Sequence, residues 1–186
     1  GVLIDHPALR LIDYCADVLG APRDQYKAAL NKYHEDFLKG LVSEQHFWTK
    51  MRAELDVPMP KQKSLWHEAF VAVYREKPAI FDLARQLKSR GSKVCLLSNT
   101  ELPSTEFFEQ RNYEFFDVTV FSCREHSAKP ETVIYEIALD RLNSKAQETV
   151  FIDDSTAFIA GAKTVGMHTI LFRTEQQVIG EVNRLI

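Results

Sequence analysis

Two spacings of apolar residues divide the chain near residue 77. Before that point they recur at helical intervals. Leu9, Leu11, Ile12, Cys15, Ala16, Val18 and Leu19 predict a helix ending at Gly20. A second helix follows Pro22, through Tyr26, Leu30, Tyr33 and Phe37 to Gly40. A third, capped by Ser43, carries Phe47, Met51 and Leu55 as far as the Pro58-Met59-Pro60 break. A fourth holds Leu65, Trp66, Ala69, Phe70 and Val73 and ends near Lys77. Four amphipathic helices with short connections predict a small bundle.

From Pro78 onward, short apolar runs alternate with helices. Pro78 suits a first helical position, and a helix over 79–90 closes at Gly91 before the apolar run Lys93-Val94-Cys95-Leu96-Leu97. Helices are predicted over 103–111, 130–142, 156–165 and 175–185, and strands over 118–121, 150–152 and 169–172. Continuous apolar strands alternating with helices predict a parallel sheet covered on both faces, an α/β core of three layers and Rossmann-like type. Ligands of such sheets bind outside the carboxyl ends of the strands.

Composition narrows the function classes. The 186 residues are 45% hydrophobic, enough for a real core, and the net charge of −3 offers no footprint for nucleic acid. Without an apolar stretch of about 18 residues or a signal-peptide pattern, the prediction is a protein of the cytoplasm that neither spans nor docks on a membrane. Cys15, Cys95 and Cys123 are odd in number and set in apolar segments, so they read as small buried hydrophobes rather than a disulfide framework or zinc site. His34, His46 and His67 fall on separate helices and read as packed or surface residues. Phe47, Trp48, Trp66 and Tyr74 read as core, with a place at a substrate mouth as the alternative. Nothing in the sequence specifies an oligomeric state.

Three polar islands stand at the predicted strand ends. Ser98-Asn99-Thr100 follows Leu97, Lys129-Pro130 follows the strand to Phe121, and Asp153-Asp154-Ser155 follows Ile152. Taken singly, they could be a turn, an exposed loop lysine and a helix cap. On one rim they combine hydrogen-bond donors, a fixed positive charge and hard oxygen ligands for Mg²⁺, the parts of a phosphoryl site. The expected phosphate-binding residues are Ser98, Asn99 and Lys129, and the substrate class is a small phosphorylated molecule.

These islands, with Phe151-Ile152 before the acidic pair and Gly161-Ala162 and Gly166-Met167-His168-Thr169-Ile170 after it, resemble the second to fourth motifs of the haloacid dehalogenase superfamily of hydrolases. The resemblance implies a helical cap over 6–77 inserted into a core made of 1–5 and 78–186. It also implies a Mg²⁺-dependent phosphatase working through an aspartyl-phosphate. Asp154 would then be a direct metal ligand, Asp153 a second ligand or a supporting group, and Ser98, Lys129 and Asp153 the catalytic set. The acidic pair argues against the metal-free dehalogenases of that superfamily. Phe158 departs from the asparagine that relatives often carry.

In this family the first motif is a central strand ending in Asp-x-Asp-Gly, whose first aspartate is the nucleophile. Gly1-Val2-Leu3-Ile4-Asp5 is similar to the tail of that motif, which places the nucleophile three residues before Gly1. With no initiator methionine, the expectation is a fragment or processed chain. Asp5 is the nearest carboxylate but lies where the family leads into its cap. Strands pack about 4.8 Å apart, so without the central one the strands at 94–97 and 150–153 should stand about 10 Å apart, or Val2–Ile4 should be drawn between them. A catalytically silent binding protein of the same fold is the alternative reading. A response-regulator receiver is disfavoured, because there the acidic pair comes first in the chain.

Overall fold

The computed structural model describes residues 1–185. Helices α1 (Ala8–Leu19), α2 (Arg23–Leu38), α3 (Glu44–Leu55) and α4 (Leu65–Val73) form the first part. Their ends follow local chemistry. Gly20 closes α1 in the left-handed conformation at φ 66°, its N–H reaching Asp17 O at 3.2 Å, and Ser43 and Ser64 cap α3 and α4 by accepting from His46 N and His67 N. One core serves all four helices: Cys15, Tyr26, Phe37, Met51 and Leu65 are buried in it, and it reaches across to Phe107. Phe47 stacks on Phe37 at 4.6 Å, while Trp48 and Tyr74 are also buried, so these aromatics are core residues.

The second part runs α5 (Pro78–Ser89), β1 (Cys95–Ser98), α6 (Leu102–Arg111), β2 (Val118–Phe121), α7 (Ser122–Glu125), α8 (Thr132–Leu142), a 3-10 turn at Ala146–Glu148, β3 (Val150–Asp153), α9 (Thr156–Thr164), β4 (His168–Leu171) and α10 (Glu175–Leu185). The strands pair in parallel but as two separate halves. β1 lies on β2 with Cys95 opposite Val118, and β3 lies on β4 with Val150 opposite His168. No pairing joins residues 94–97 to 150–153 among the described residues, as expected from the sequence. The interior holds several smaller apolar clusters, one of which joins the two halves by packing Val120 and Leu97 with Phe151 and Leu171.

Val2–Ile4 does not become a strand of either half. Ile4 instead forms an antiparallel bridge with Glu76, Asp5 N donates to Arg75 O at 2.9 Å, and Lys77 N donates to Leu3 O at 2.9 Å. The two chain crossings between the parts thus pair with each other, and this tertiary pairing ends α4 at Val73, short of the expected Lys77. The Leu3 side chain still enters the divide, packing against three apolar clusters. No described helix is long and apolar enough to cross a membrane.

Candidate active site

Three loops converge at the carboxyl ends of β1 and β3, and Lys129 joins them. Its Nζ donates to Asp153 Oδ2 at 2.7 Å and to Leu97 O at 3.2 Å, so a single ammonium spans the two half-sheets. Both side chains of the ion pair are nearly inaccessible, at 8% and 7%. The ammonium also lies 5.0 Å from the Phe158 ring and 5.5 Å from that of Phe151, two faces that favour a cation. Phe158, the departure noted in the sequence, therefore contributes to the lysine's surroundings. Gly161 lets α9 approach the loop, because a Cβ there would lie 2.6 Å from Pro130 O.

Asn99 and Asp153 are both committed within the protein. Asn99 Nδ2 donates to Lys129 O at 2.9 Å and Oδ1 accepts from Lys129 N at 2.8 Å, so the amide fixes the lysine loop against the end of β1. Asp153 Oδ1 accepts from Ser155 N at 2.9 Å while Oδ2 holds Lys129, which occupies both oxygens. Ser98 Oγ makes no hydrogen bond among the described residues. Asp5, at the crossing between the two parts, pairs at 3.8 Å with Arg10 and at 3.6 Å with Lys77, and makes no contact with Ser98, Lys129 or Asp154 among the hydrogen bonds and ion pairs of the described residues.

Asp154 is the open donor of the doublet. Its side chain is 31% exposed, and Oδ1 takes the Gly1 nitrogen at 3.2 Å. No three His, Cys, Asp or Glu side chains converge among the described residues, so a hard cation at this place would draw on Asp154 and on oxygens from outside the side-chain set, as Mg²⁺ commonly does.

A cavity of about 580 Å³ connects the rim to both parts of the molecule. Ser98, Asn99, Lys129, Asp153 and Asp154 line it, as do Leu97 and Ile152 from the divide between the half-sheets and Leu11, Leu30 and Trp66 from the helical part. Glu101 also borders it and was not singled out in the sequence. This carboxylate is 7% exposed and spans the two parts: Oε1 pairs with His34 Nε2 at 2.5 Å and Oε2 accepts from Trp66 Nε1 at 2.8 Å. Its position directly after Ser98-Asn99-Thr100 was the available signal. His67 is held by Pro103 O at 2.8 Å, and His46 is exposed. Cys15 and Cys123 are buried, while Cys95 is partly buried. Burial pushes the thiols of Cys15 and Cys95 up to about 12, which suppresses the reactive thiolate.

The chain belongs to the haloacid dehalogenase-like hydrolases, a family that matches residues 2–166. It is 28% identical over 157 residues to mouse acyl-CoA dehydrogenase family member 10, covering 81% of this chain and 14% of that protein. The sesquiterpene phosphatase astK of Aspergillus oryzae is 25% identical over 135 residues, with 72% and 68% covered. A phosphorylated carbohydrates phosphatase of Thermotoga maritima is 30% identical over 105 residues, with 54% and 48% covered. The chain spans 14% to 26% of the length of the first curated relatives it matches. Among solved structures, a HAD family enzyme of Bacteroides thetaiotaomicron in complex with magnesium and inorganic phosphate shares the fold, with a TM-score of 0.75 and 24% identity over 93% of this chain and 90% of that one.

Proposed function

We propose that this chain is the cap-and-core part of a Mg²⁺-dependent phosphatase that hydrolyses a small phosphate monoester to an alcohol and inorganic phosphate. The observation that carries the reading is Lys129, a buried ammonium at the shared end of the two half-sheets, in one cavity with Ser98 and Asp154. A charge fixed at an apolar site acts on phosphate oxygens with little screening and needs no reorganisation as they gain charge in the reaction. Asp153 and Leu97 hold the ammonium in place, Asn99 fixes the loop that carries it, and the Ser98 hydroxyl is left to donate to a phosphate oxygen. Asp154 would hold Mg²⁺, which when bound supplies positive charge shared with the phosphate. Phosphatases among the relatives, and a neighbour solved with magnesium and phosphate, support the same assignment.

The nucleophile in this reading is an aspartate on a segment N-terminal to Gly1, seated between β1 and β3. Residues 6–77 form the cap over a core of 1–5 and 78–186. Phosphate release by the full-length protein from a broad ester panel, with and without Mg²⁺, tests the reading. Metal-dependent turnover that is lost in Asp154→Asn is the expected result. Full turnover in that variant, or none in the parent, overturns it.

A further inference from the structure

The cavity has two chemically different ends. At the rim it carries Ser98, Lys129 and Asp154. On the helical side the wall is formed by Ala8, Leu11, Leu30, Leu38, Trp66 and Phe70, all apolar. Polar groups border that side as well, but they are few beside the apolar ones: Glu101, His34 and Thr100. The Glu101 carboxylate has one oxygen on His34 Nε2 and the other on Trp66 Nε1, so part of its acceptor capacity is spent inside the protein. His6 lies back at the rim beside Gly1 and Asp154. Thr100 is only 5% exposed, so its hydroxyl presents little surface to a ligand.

A polyhydroxylated organic group placed against this wall would give up its water and regain few hydrogen bonds. A hydrocarbon group would give up nothing and would cover apolar surface. Resting on the phosphatase reading above, we propose that the substrate is the monophosphate of an apolar alcohol. Its phosphate lies at the Ser98, Lys129 and Asp154 rim, and its hydrocarbon part lies along α1, α2 and α4.

The test is a series of n-alkyl monophosphates of increasing length, assayed with the full-length protein beside glucose 6-phosphate and glycerol 3-phosphate. kcat/KM should rise about fourfold per added methylene until the wall is filled, and should exceed the values for both sugar and glycerol esters. Leu30→Asn, on the half-buried part of the wall, should flatten that rise, with circular dichroism confirming that the variant is folded; Leu38→Asn serves the same purpose if it is not. A flat series, a preference for the hydroxylated esters, or an unchanged slope in the folded variant overturns the proposal and leaves the phosphatase reading standing. If no ester releases phosphate, the phosphatase reading fails, and calorimetric titration with decylphosphonate against inorganic phosphate decides the wall assignment by itself. Tighter decylphosphonate binding that is lost on Leu30→Asn supports the apolar site. Equal binding of the two ligands, or no effect of the substitution, overturns it.

Discussion

The helical and α/β parts of the molecule bury their apolar residues in different ways. In the helical part, residues from α1, α2, α3 and α4 meet in one continuous core whose members are almost wholly inaccessible. The α/β part has several clusters, with a cavity between β1 and β3; one cluster joins the half-sheets through Val120 and Phe151, and Leu3 packs in the divide. The helical part is therefore held by close packing, whereas at the rim the two half-sheets are held together by polar contacts through Lys129. A charge that serves as a structural tie is also a charge fixed in space, which is what a phosphate site requires.

Lys129→Met should show the largest effect. It strands the Asp153 carboxylate, 7% exposed, with only Ser155 N left to satisfy it, and removing one member of a buried ion pair costs about 3–5 kcal/mol. Urea denaturation measures the loss. Lys129→Met combined with Asp153→Leu should recover most of it, because the unpaired charge is then gone. Equal losses in the single and double variants would mean that packing, rather than the charge, joins the halves.

Truncations on the two sides sharpen the contrast. Met51, with no accessible surface in the helical core, should cost about 3 kcal/mol when changed to Ala, since its neighbours are fixed on every side. Leu97→Ala, where the side chain borders the cavity on one side and packs on the cluster of Val120 and Phe151 on the other, should cost less, about 2 kcal/mol, because packing is lost on one side only. Similar costs at the two positions would show that the divide is filled, as the proposed segment N-terminal to Gly1 would fill it. Gly40→Ala tests the seam between the parts. Gly40 has φ 65°, and a Cβ there would lie 2.0 Å from Cys123 O, a contact with backbone that cannot rotate away. The expected loss is about 2 kcal/mol in thermal denaturation, together with faster proteolysis at residues 74–77.

Much of this arrangement was legible in the sequence because it is local. The helix spacing, Gly20, Ser43 and Pro78 fix element boundaries by chemistry within a few residues, and the strand at 118–121 was placed to the residue. The three polar islands were legible because β strands of a parallel sheet deliver their following residues to one rim. Contacts between distant segments were not. α7 was missed because four residues carry no period, and α8 starts at Thr132 rather than 130 because Asn99 holds the Lys129 loop from 30 residues away. Nor could the sequence show that Asn99 and Asp153 spend their hydrogen bonds inside the protein. Glu101 escaped notice because its partners, His34 and Trp66, are 67 and 35 residues distant.

Acid titration gives the smallest effect and reaches the α/β part away from the rim. The Asp117 carboxylate accepts from Lys88 Nζ and from Val94 N at 2.8 Å, pinning the entry of β1 to the end of α5. The bond from Lys88, then that from Val94, holds its pKa below the ordinary 3.8. A depressed carboxyl contributes stability that is fully present above its unfolded-state pKa and is lost as pH falls through the lower folded-state value. Because Lys88 is well exposed to solvent, the contribution should be at most about 1 kcal/mol. Asp117→Asn should remove it near neutral pH and flatten the fall in stability below pH 3.8, as followed by urea midpoints. The oxygen facing Val94 N is retained in that variant, so the change reports the Lys88 contact, its charge and hydrogen bond together. A variant whose acid limb matches the parent would show that the Lys88 contact contributes nothing, and that the polar contacts supporting the divided sheet are concentrated at Lys129.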